Sequence, residues 1–251
     1  MNEKIGLIKE NTNGTLMKII AYRSSNDIDI EFLDKHHYVK THTTMSNFNS
    51  GSIKNPYDLT LYSIGYIGEG KFKAKILKRN IPEYDCWKSI IERCYCADKQ
   101  IKNKAYYMIS EICEEWKNYQ NFAEWYHENK YDVEGRLHID KDILYPGNKV
   151  YSPYHCLLVP QRINMLFVNK QNKRGLPNGI KKDGNKYYAK YNSTELGSAD
   201  TVEKAYELYA KRKKEEIIKI AEEYKKIIPN KVYEALLNYE VRIENDKNYL
   251  I

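Results

Sequence analysis

The sequence predicts an α+β protein built from several small parts. Apolar and polar residues alternate in part in Met17–Tyr22 and Asp27–Phe32, as half-buried strands do. From Pro82 the apolar spacing becomes helical. After Gly179 a turn-bearing alternation returns and runs into a long helical stretch.

Residues 1–80 read as a small β-rich, barrel-like domain of SH3-like type. Gly14, Gly51, Gly65, Gly68 and Gly70 punctuate its turns, and Gly51–Pro56 reads as a loop between strands. Residues 81–168 form a central segment. Trp87, Ile90, Ile91 and Cys94 make one helical stripe, and Ile112, Trp116, Phe122 and Trp125 suggest a second helix. These aromatics read as core and as a platform for the segment that follows. Asn169–Pro177 reads as a polar linker.

Residues 169–228 then give a hairpin turning at Asp183-Gly184-Asn185, with Tyr188 and Lys190 on the face opposite Tyr187 and Ala189. A short strand closes at Leu196-Gly197. Asp200 is placed to cap a helix, with Glu203 completing a capping box. That helix runs through Ala205, Leu208, Tyr209 and Arg212 toward Tyr224. Its Lys211–Glu216 run mixes signs and reads as a solvated face, with Glu215 and Lys219 spaced as an i,i+4 pair. Residues 229–251 hold a last amphipathic helix after Pro229, and Ile243–Ile251 reads as a loose tail.

Composition narrows the function without choosing it. The chain has 251 residues, 42% of them hydrophobic, enough to bury cores. Its 24 tyrosines against 5 phenylalanines predict many half-buried rings with polar tips. A net charge of +7 gives a mild attraction to polyanions. Five cysteines, an odd number, argue against a disulfide framework. Cys94 and Cys96 are one residue apart, a poor zinc spacing, so reduced thiols in an intracellular, cytoplasmic protein are expected. Met1–Glu10 has no apolar run of the leader type, and no stretch is long and apolar enough for a membrane span.

Only Arg136–Asn164 groups residues able to do chemistry. His138 stands two before Asp140, so a strand would put both on one face. Gly147-Asn148, Ser152-Pro153, His155 and Asn164 follow. The plain reading is two half-buried histidines, an amphipathic strand and a helix asparagine bonded to a loop. The segment also resembles the core of HNH nucleases, whose ββα-metal fold cuts nucleic acid. The resemblance covers about thirty residues and includes the turn pattern of phage-type members.

That resemblance implies His138 as general base and Asn164 as a helix metal ligand for Mg or Mn. It implies His155 in the central position that orients the base or ties the loop, and Asp140 as a second ligand or only a brace. Leu137 departs from the pattern, because active members usually have Asp or His there. A shifted register would put Asp140 on the metal and Lys141 in the base position. Lysine is charged near pH 7 and a poor base, so that register implies a dead enzyme.

Gly179–Tyr209 is similar to the plant ethylene-response-factor (Apetala) type of DNA-binding domain, a three-stranded sheet on one helix. The residues that carry the similarity are Gly179-Ile-Lys, Tyr187–Tyr191, Leu196-Gly197 and Thr201–Tyr209. It implies DNA contacts from Lys173, Arg174, Lys181, Lys182, Lys186, Tyr188 and Lys190. The family's sheet arginines are missing or replaced by lysine, which favours phosphate contact over base reading. The plain reading is a solvated hairpin. The order of parts resembles phage and prophage HNH endonucleases. Two functions are therefore expected. One is a metal-dependent DNA nuclease. The other is an inactive HNH-derived protein that binds DNA as a regulator, or blocks a host defence protein. A third, weaker option is a nucleotide or peptide bound by the Tyr-rich N-terminal part.

Overall fold

The computed structural model describes residues 3–96, 110–170 and 172–249, and within them the chain is mixed α and β. The chain groups into two compact units. Unit 1 holds residues 1–91 and 114–124, and unit 2 holds 92–113 and 125–251. The four segments drawn from the sequence are a different division of the chain.

Unit 1 begins with a four-stranded antiparallel meander of β1 (Ile8–Glu10), β2 (Leu16–Ser24), β3 (Asp27–Phe32) and β4 (Val39–Thr43). Alternation has the expected effect: Met17, Ile19, Ile28, Ile30 and Phe32 point to one face and are fully buried with Phe48 and Ile53. The sheet is open in order β1-β2-β3-β4, so no barrel closes among the described residues. The turn before β2 is fixed by the Asp58 carboxylate, which accepts from Asn11 Nδ2 (2.7 Å), Asn13 Nδ2 (2.8 Å) and the Thr15 hydroxyl.

The loop expected at Gly51 is the end of a short helix, α1 (Met45–Ser50), capped by the Thr44 side chain and by Gly51 at φ +69°. Two-residue strands β5 (Lys75–Ile76) and β6 (Arg79–Asn80) pair across a turn. The helices α2 (Pro82–Tyr95) and α3 (Tyr119–Asn129) each continue from unit 1 into unit 2. Within unit 1, Trp87, Ile90, Ile91, Trp116, Tyr119 and Phe122 are buried as core, and Trp87 Nε1 donates to the Trp116 carbonyl at 2.6 Å.

In unit 2, Ile112 is in a strand and not in the helix expected there. β7 (Glu111–Ile112) pairs in parallel with β9 (Val150–Tyr151). Between them in sequence, β8 (Leu137–Asp140) pairs antiparallel with β10 (Leu157–Pro160), which leads directly into α4 (Gln161–Leu166). Farther on, β11 (Ile180–Asp183), β12 (Lys186–Tyr191) and β13 (Thr194–Ala199) form an antiparallel sheet. The long helix α5 (Val202–Tyr224) and the short α6 (Asn230–Asn238) follow. Thr201, not Asp200, caps α5, its hydroxyl accepting from Lys204 N at 3.3 Å.

The helix α5 serves two cores. Its first turns give Ala205, Tyr206 and Tyr209 to a cluster with Ile180 and Ala189 of the three-stranded sheet. Its last turns give Ile217, Ile220 and Ala221 to a cluster with Leu157, Val159, Ile163, Val232 and Leu236. At 1.5 Å per residue the helix is about 35 Å long. One rigid rod therefore joins the sheet to the β8–β10–α4 unit. The run Lys211–Glu216 is not uniformly solvated. Lys213 and Lys214 are half-buried, and Lys214 Nζ caps the C-terminal end of α6 by donating to the carbonyls of Leu237 (2.5 Å) and Tyr239 (2.6 Å). Glu215 faces Arg212 at 3.8 Å. Among the described residues no helix is long and apolar enough to cross a membrane.

Candidate active site and nucleic-acid interface

The register of β8 on β10 sets the faces. Asp140 lies opposite Leu157 and His138 opposite Val159, and directly opposed residues share a face. Leu157 and Val159 pack with Ile163 of α4, so this is the face that α4 covers. Leu137 is on the other face, opposite Pro160. The pleat thus groups His138 with Asp140, as their spacing predicts, and leaves Leu137 out.

A cavity of about 340 Å³ opens beside this face. Asp140, Asp142 and Asn164 line it, together with Arg93 of α2, Lys213 of α5 and Asp246 near the C-terminus. His138 is absent from its lining, as is His155. Asn164 is half-buried, and its side-chain amide makes no hydrogen bond among the described residues. The His138 ring is likewise half-buried and without a hydrogen-bond partner among them. Burial, with the positive charges of Arg93 and Arg136, pushes the His138 imidazole below its ordinary value. It is therefore neutral near pH 7, with a lone pair to offer.

Asp140 is almost fully buried. One oxygen, Oδ1, accepts from the backbone N–H of Asp142 and of Ile143, both at 2.8 Å. Burial, and then the neighbouring Asp142 charge, push its carboxyl up to about 6. Asp142 is held by Lys141 Nζ at 2.9 Å, and Lys141 also donates to the Asn148 carbonyl. Asn148 bridges the loop through Lys141 O (3.1 Å) and Val150 O (2.8 Å). His155 is tied down: Nδ1 lies 2.8 Å from Ser152 Oγ, and Tyr145 meets the ring edge-on at 5.1 Å. It serves the loop and not the cavity.

The donor set fits a hard divalent ion of the magnesium type. Asp140 has its second oxygen uncommitted, and Asn164 has a spare amide oxygen. Magnesium commonly takes one or two protein oxygens and leaves its other positions to water and phosphate. The surrounding Arg93 and Lys213 suit an anion beside it. Another acidic group in the molecule, Asp27, Asp29 and His42 of unit 1, could also hold a metal ion by distance. Arg23 already occupies it, with Nε 2.7 Å from Asp27 and a second nitrogen 2.5 Å from Asp29. That pairing holds Asp27 down at about 2.

The three-stranded sheet divides the basic residues. Ile180 and Ala189, opposite each other, are buried against α5. Lys182 lies opposite Tyr187 on that same face, its Nζ 5.5 Å from the Tyr187 ring centre. Lys181, Lys186, Tyr188 and Lys190 occupy the outer face. Lys190 has Glu195 at 3.7 Å. Lys173 and Arg174 are exposed in the linker.

No family model, curated protein or solved structure matches this chain. What the site can do follows from its own geometry.

Two features escape the sequence reading. Arg93 and Lys213 reach the cavity from helices whose periodicity marks only their apolar side. The expected linker and loose tail bind each other. Asp246 and Asn248 are buried. Asp246 accepts from Asn178 N (3.0 Å) and Asn178 Nδ2 (3.1 Å), and from Asn248 N and Nδ2 (both 2.9 Å). Asn248 also bonds Lys170 O (3.0 Å) and Asn172 N (2.7 Å), and Asn169 Nδ2 donates to Asn245 O (3.0 Å). Gln171, Leu250 and Ile251 lie outside the described residues. The run of Asn and Asp in both segments is the signal that could have revealed this strap.

Proposed function

We propose that residues 137–166 are an HNH-type ββα unit and that the chain is a phage-type DNA-binding protein that cuts DNA with a divalent metal. The observation carrying this reading is Asp140 and Asn164 on one cavity, with the unpaired His138 ring on the same strand face as Asp140. In this reading His138 is the general base that takes a proton from water. The uncommitted Asp140 oxygen and the Asn164 amide oxygen hold Mg or Mn. The bound ion supplies stabilisation of charge developing on the phosphate. Arg93 and Lys213 hold the phosphate, and His155 keeps the loop in shape through Ser152.

The outer face of the β11–β13 sheet binds DNA in the manner of the ethylene-response-factor domains. Lys181, Lys186 and Lys190 contact phosphates and Tyr188 packs on sugar or base, with Lys173 and Arg174 adding charge from the linker. Lys182 contributes less, being turned toward α5. Because α5 joins both cores, DNA held on the sheet is presented to the cavity at a fixed spacing. The protein would act in the cytoplasm of a host cell.

A second reading has its own observations. Leu137 cannot bind metal, and Asp140 Oδ1 is engaged by two backbone donors. The unit would then be an inactive scaffold that binds DNA as a regulator or blocks a host defence protein, with no cofactor. Supercoiled plasmid with Mg²⁺ or Mn²⁺ separates the two. Cutting by the wild type is expected to fall roughly 10²–10⁴-fold in His138→Ala, with DNA binding retained, and to be lost in Asn164→Ala. Cutting by His138→Ala at the wild-type rate would remove His138 from the base role. Intact plasmid with a slowed band on a gel would favour the inactive DNA-binding reading, and intact plasmid without a shift would favour a protein partner.

A further inference from the structure

The hairpin of β5 and β6 in unit 1 is an arm that is anchored at its root and exposed along its length. Every residue from Lys75 to Asn80 is exposed. Leu77, at the tip, is 92% exposed and its neighbour Ile76 57%. A two-stranded hairpin is marginal by itself in water, so this one depends on its anchorage. Buried Gln120 of α3 accepts from Phe72 N and donates to Phe72 O, both at 3.0 Å. Tyr119 Oη donates to the Lys73 carbonyl at 3.0 Å. On the returning strand, Asn80 Nδ2 donates to Asp85 of α2 at 2.8 Å.

The residues at the tip are poorly suited to the turn they make. Leu77 and Lys78 both have positive φ, +48° and +64°, as a two-residue hairpin turn of type I′ requires. Asn, Asp and Gly take that conformation readily, and a bulky side chain seldom does. Leu77 therefore serves neither the turn nor a core. Backbone strain of this kind gathers where a side chain is held ready for a ligand.

Charge is one-sided at the free end. Residues 70–81 contain Lys71, Lys73, Lys75, Lys78 and Arg79 and no acid. Glu69 and Glu83 bound the segment in sequence, Glu124 faces Lys71 at 3.8 Å, and Asp85 meets Asn80. With these four acids at full charge, the five cations still leave the arm positive. Lys75, Lys78 and Arg79 are exposed and in no ion pair among the described residues. Asp85 is the one acid that touches their hairpin. Protein interfaces are depleted in lysine and anchored by Trp, Tyr and Arg set in pockets. Segments that enter a membrane surface need more apolar area than one Leu and one Ile, and carry interfacial rings that Lys75–Asn80 lacks. Arg, Lys and Asn around an exposed Leu or Ile is the set by which proteins enter the minor groove and part a base step.

We infer that the β5–β6 arm enters the minor groove of duplex DNA, with Leu77 wedged at a base step and Lys75, Lys78 and Arg79 on the flanking phosphates. Ile76 shares a face with Arg79, its strand partner, and extends the wedge. Such a wedge unstacks the step and kinks the duplex. This inference rests on the reading of the chain as a DNA-binding protein and not on its cutting DNA. It adds to the C-terminal sheet a contact that deforms the duplex.

The test reads the bend of a duplex of about thirty base pairs by energy transfer between dyes on its ends, with the full chain and EDTA present. That length is far below the persistence length of about 150 base pairs, so the free duplex is nearly straight. The wild type is expected to bend it by about 20–90°. Leu77→Asn suits the turn better than leucine does, so its thermal melt should hold or rise. It is expected to bind and leave the duplex nearly straight, and Leu77→Met to keep the bend. Replacing Lys75, Lys78 and Arg79 together by Ala is expected to lower the slope of log affinity against log salt by roughly 2–3. A straight duplex in the wild-type complex, or a full bend with Leu77→Asn, would overturn this inference and leave the DNA-binding reading standing. No binding of the duplex at all would overturn both. Binding to phosphatidylserine vesicles that Leu77→Asn abolishes, with the duplex unbent, would assign the arm to a membrane surface instead.

Discussion

Two polar clusters of unit 2 reach one cavity, the strap through Asp246 and the β8–α4 face through Asp140 and Asn164, yet they differ in how far their groups are satisfied. At the strap, each Asp246 carboxylate oxygen accepts two hydrogen bonds, and Asn248 bonds in three directions. At the β8–α4 face, His138 and Asn164 have no hydrogen-bond partner among the described residues, and burial raises the Asp140 carboxyl. Buried polar groups are ordinarily paired. The satisfied cluster therefore reads as a fastener. The second reads as groups left open to solvent and to a ligand, since His138 and Asn164 are half-buried and no buried side-chain polar atom among the described residues lacks a partner.

The sharpest way to break this contrast is at the fastener. Asp246→Ala removes the shared acceptor and strands the donors of Asn178 and Asn248 inside the protein. Breaking a buried charged network of this kind costs about 3 kcal/mol or more. At roughly 2–4 °C per kcal/mol for a domain of this size, the melting temperature of unit 2 should fall by about 6–12 °C. Proteases should then cleave between Lys170 and Lys181. A melt within about 2 °C of wild type, with the linker still protected, would mean that the strap is as loose as its sequence suggests.

That suggestion shows where legibility ends. Periodic segments can be read directly: the Trp87–Cys94 stripe, the hairpin at Asp183–Lys186, the run of α5 to Tyr224 and the helix after Pro229. Each repeats an apolar contact every two or every three to four residues, so local pattern carries global burial. The strap has no such period. Its asparagines look like loop residues because their partners lie more than seventy positions away, as Asn172 and Asn248 do. The helix Met45–Ser50 escapes notice because it buries one side chain, Phe48. The β7–β9 pair escapes because two residues in parallel leave no alternation. The open meander reads as a barrel because closure depends on edge pairing and not on pattern. At the site, the shared face of His138 and Asp140 follows from the pleat alone. Asn164 is found only through the resemblance to a nuclease motif, and Arg93 and Lys213 by neither route.

Asp140 sharpens the contrast from the other side. Its folded value, about 6, lies above its ordinary 3.8, so ionising it opposes folding. At pH below 3.8 the carboxyl is protonated in both states and stability is unaffected. As pH rises through 3.8 toward 6 the unfolded chain releases its proton first, and stability falls by an amount on the order of 2–3 kcal/mol. Asp140→Asn keeps an oxygen for the two backbone donors and removes the charge. It should melt higher than wild type at about pH 7.5 and no differently at about pH 4. It should also lose any stabilisation by Mg²⁺ or Mn²⁺ that the wild type shows. A lower melt at the higher pH would mean that the ionised carboxylate is a structural brace, and would count against a cluster left open to a ligand.

The smallest effects separate the two faces of the C-terminal sheet. Lys181 and Lys186 point outward, while Lys182 lies over Tyr187 on the helix side. Removing one lysine–phosphate pair should reduce the slope of log affinity against log salt by about 0.9 for duplex DNA. Lys181→Ala and Lys186→Ala should each do so, with little change between duplex sequences, because lysine on phosphate reads no bases. Lys182→Ala should leave the slope nearly unchanged and lower stability slightly, since its stem covers an aromatic ring. Equal slopes for all three variants would mean that binding follows net charge and not the outer face. The sheet would then join the strap as a fastener, and the DNA-binding surface would have to be sought elsewhere on the chain.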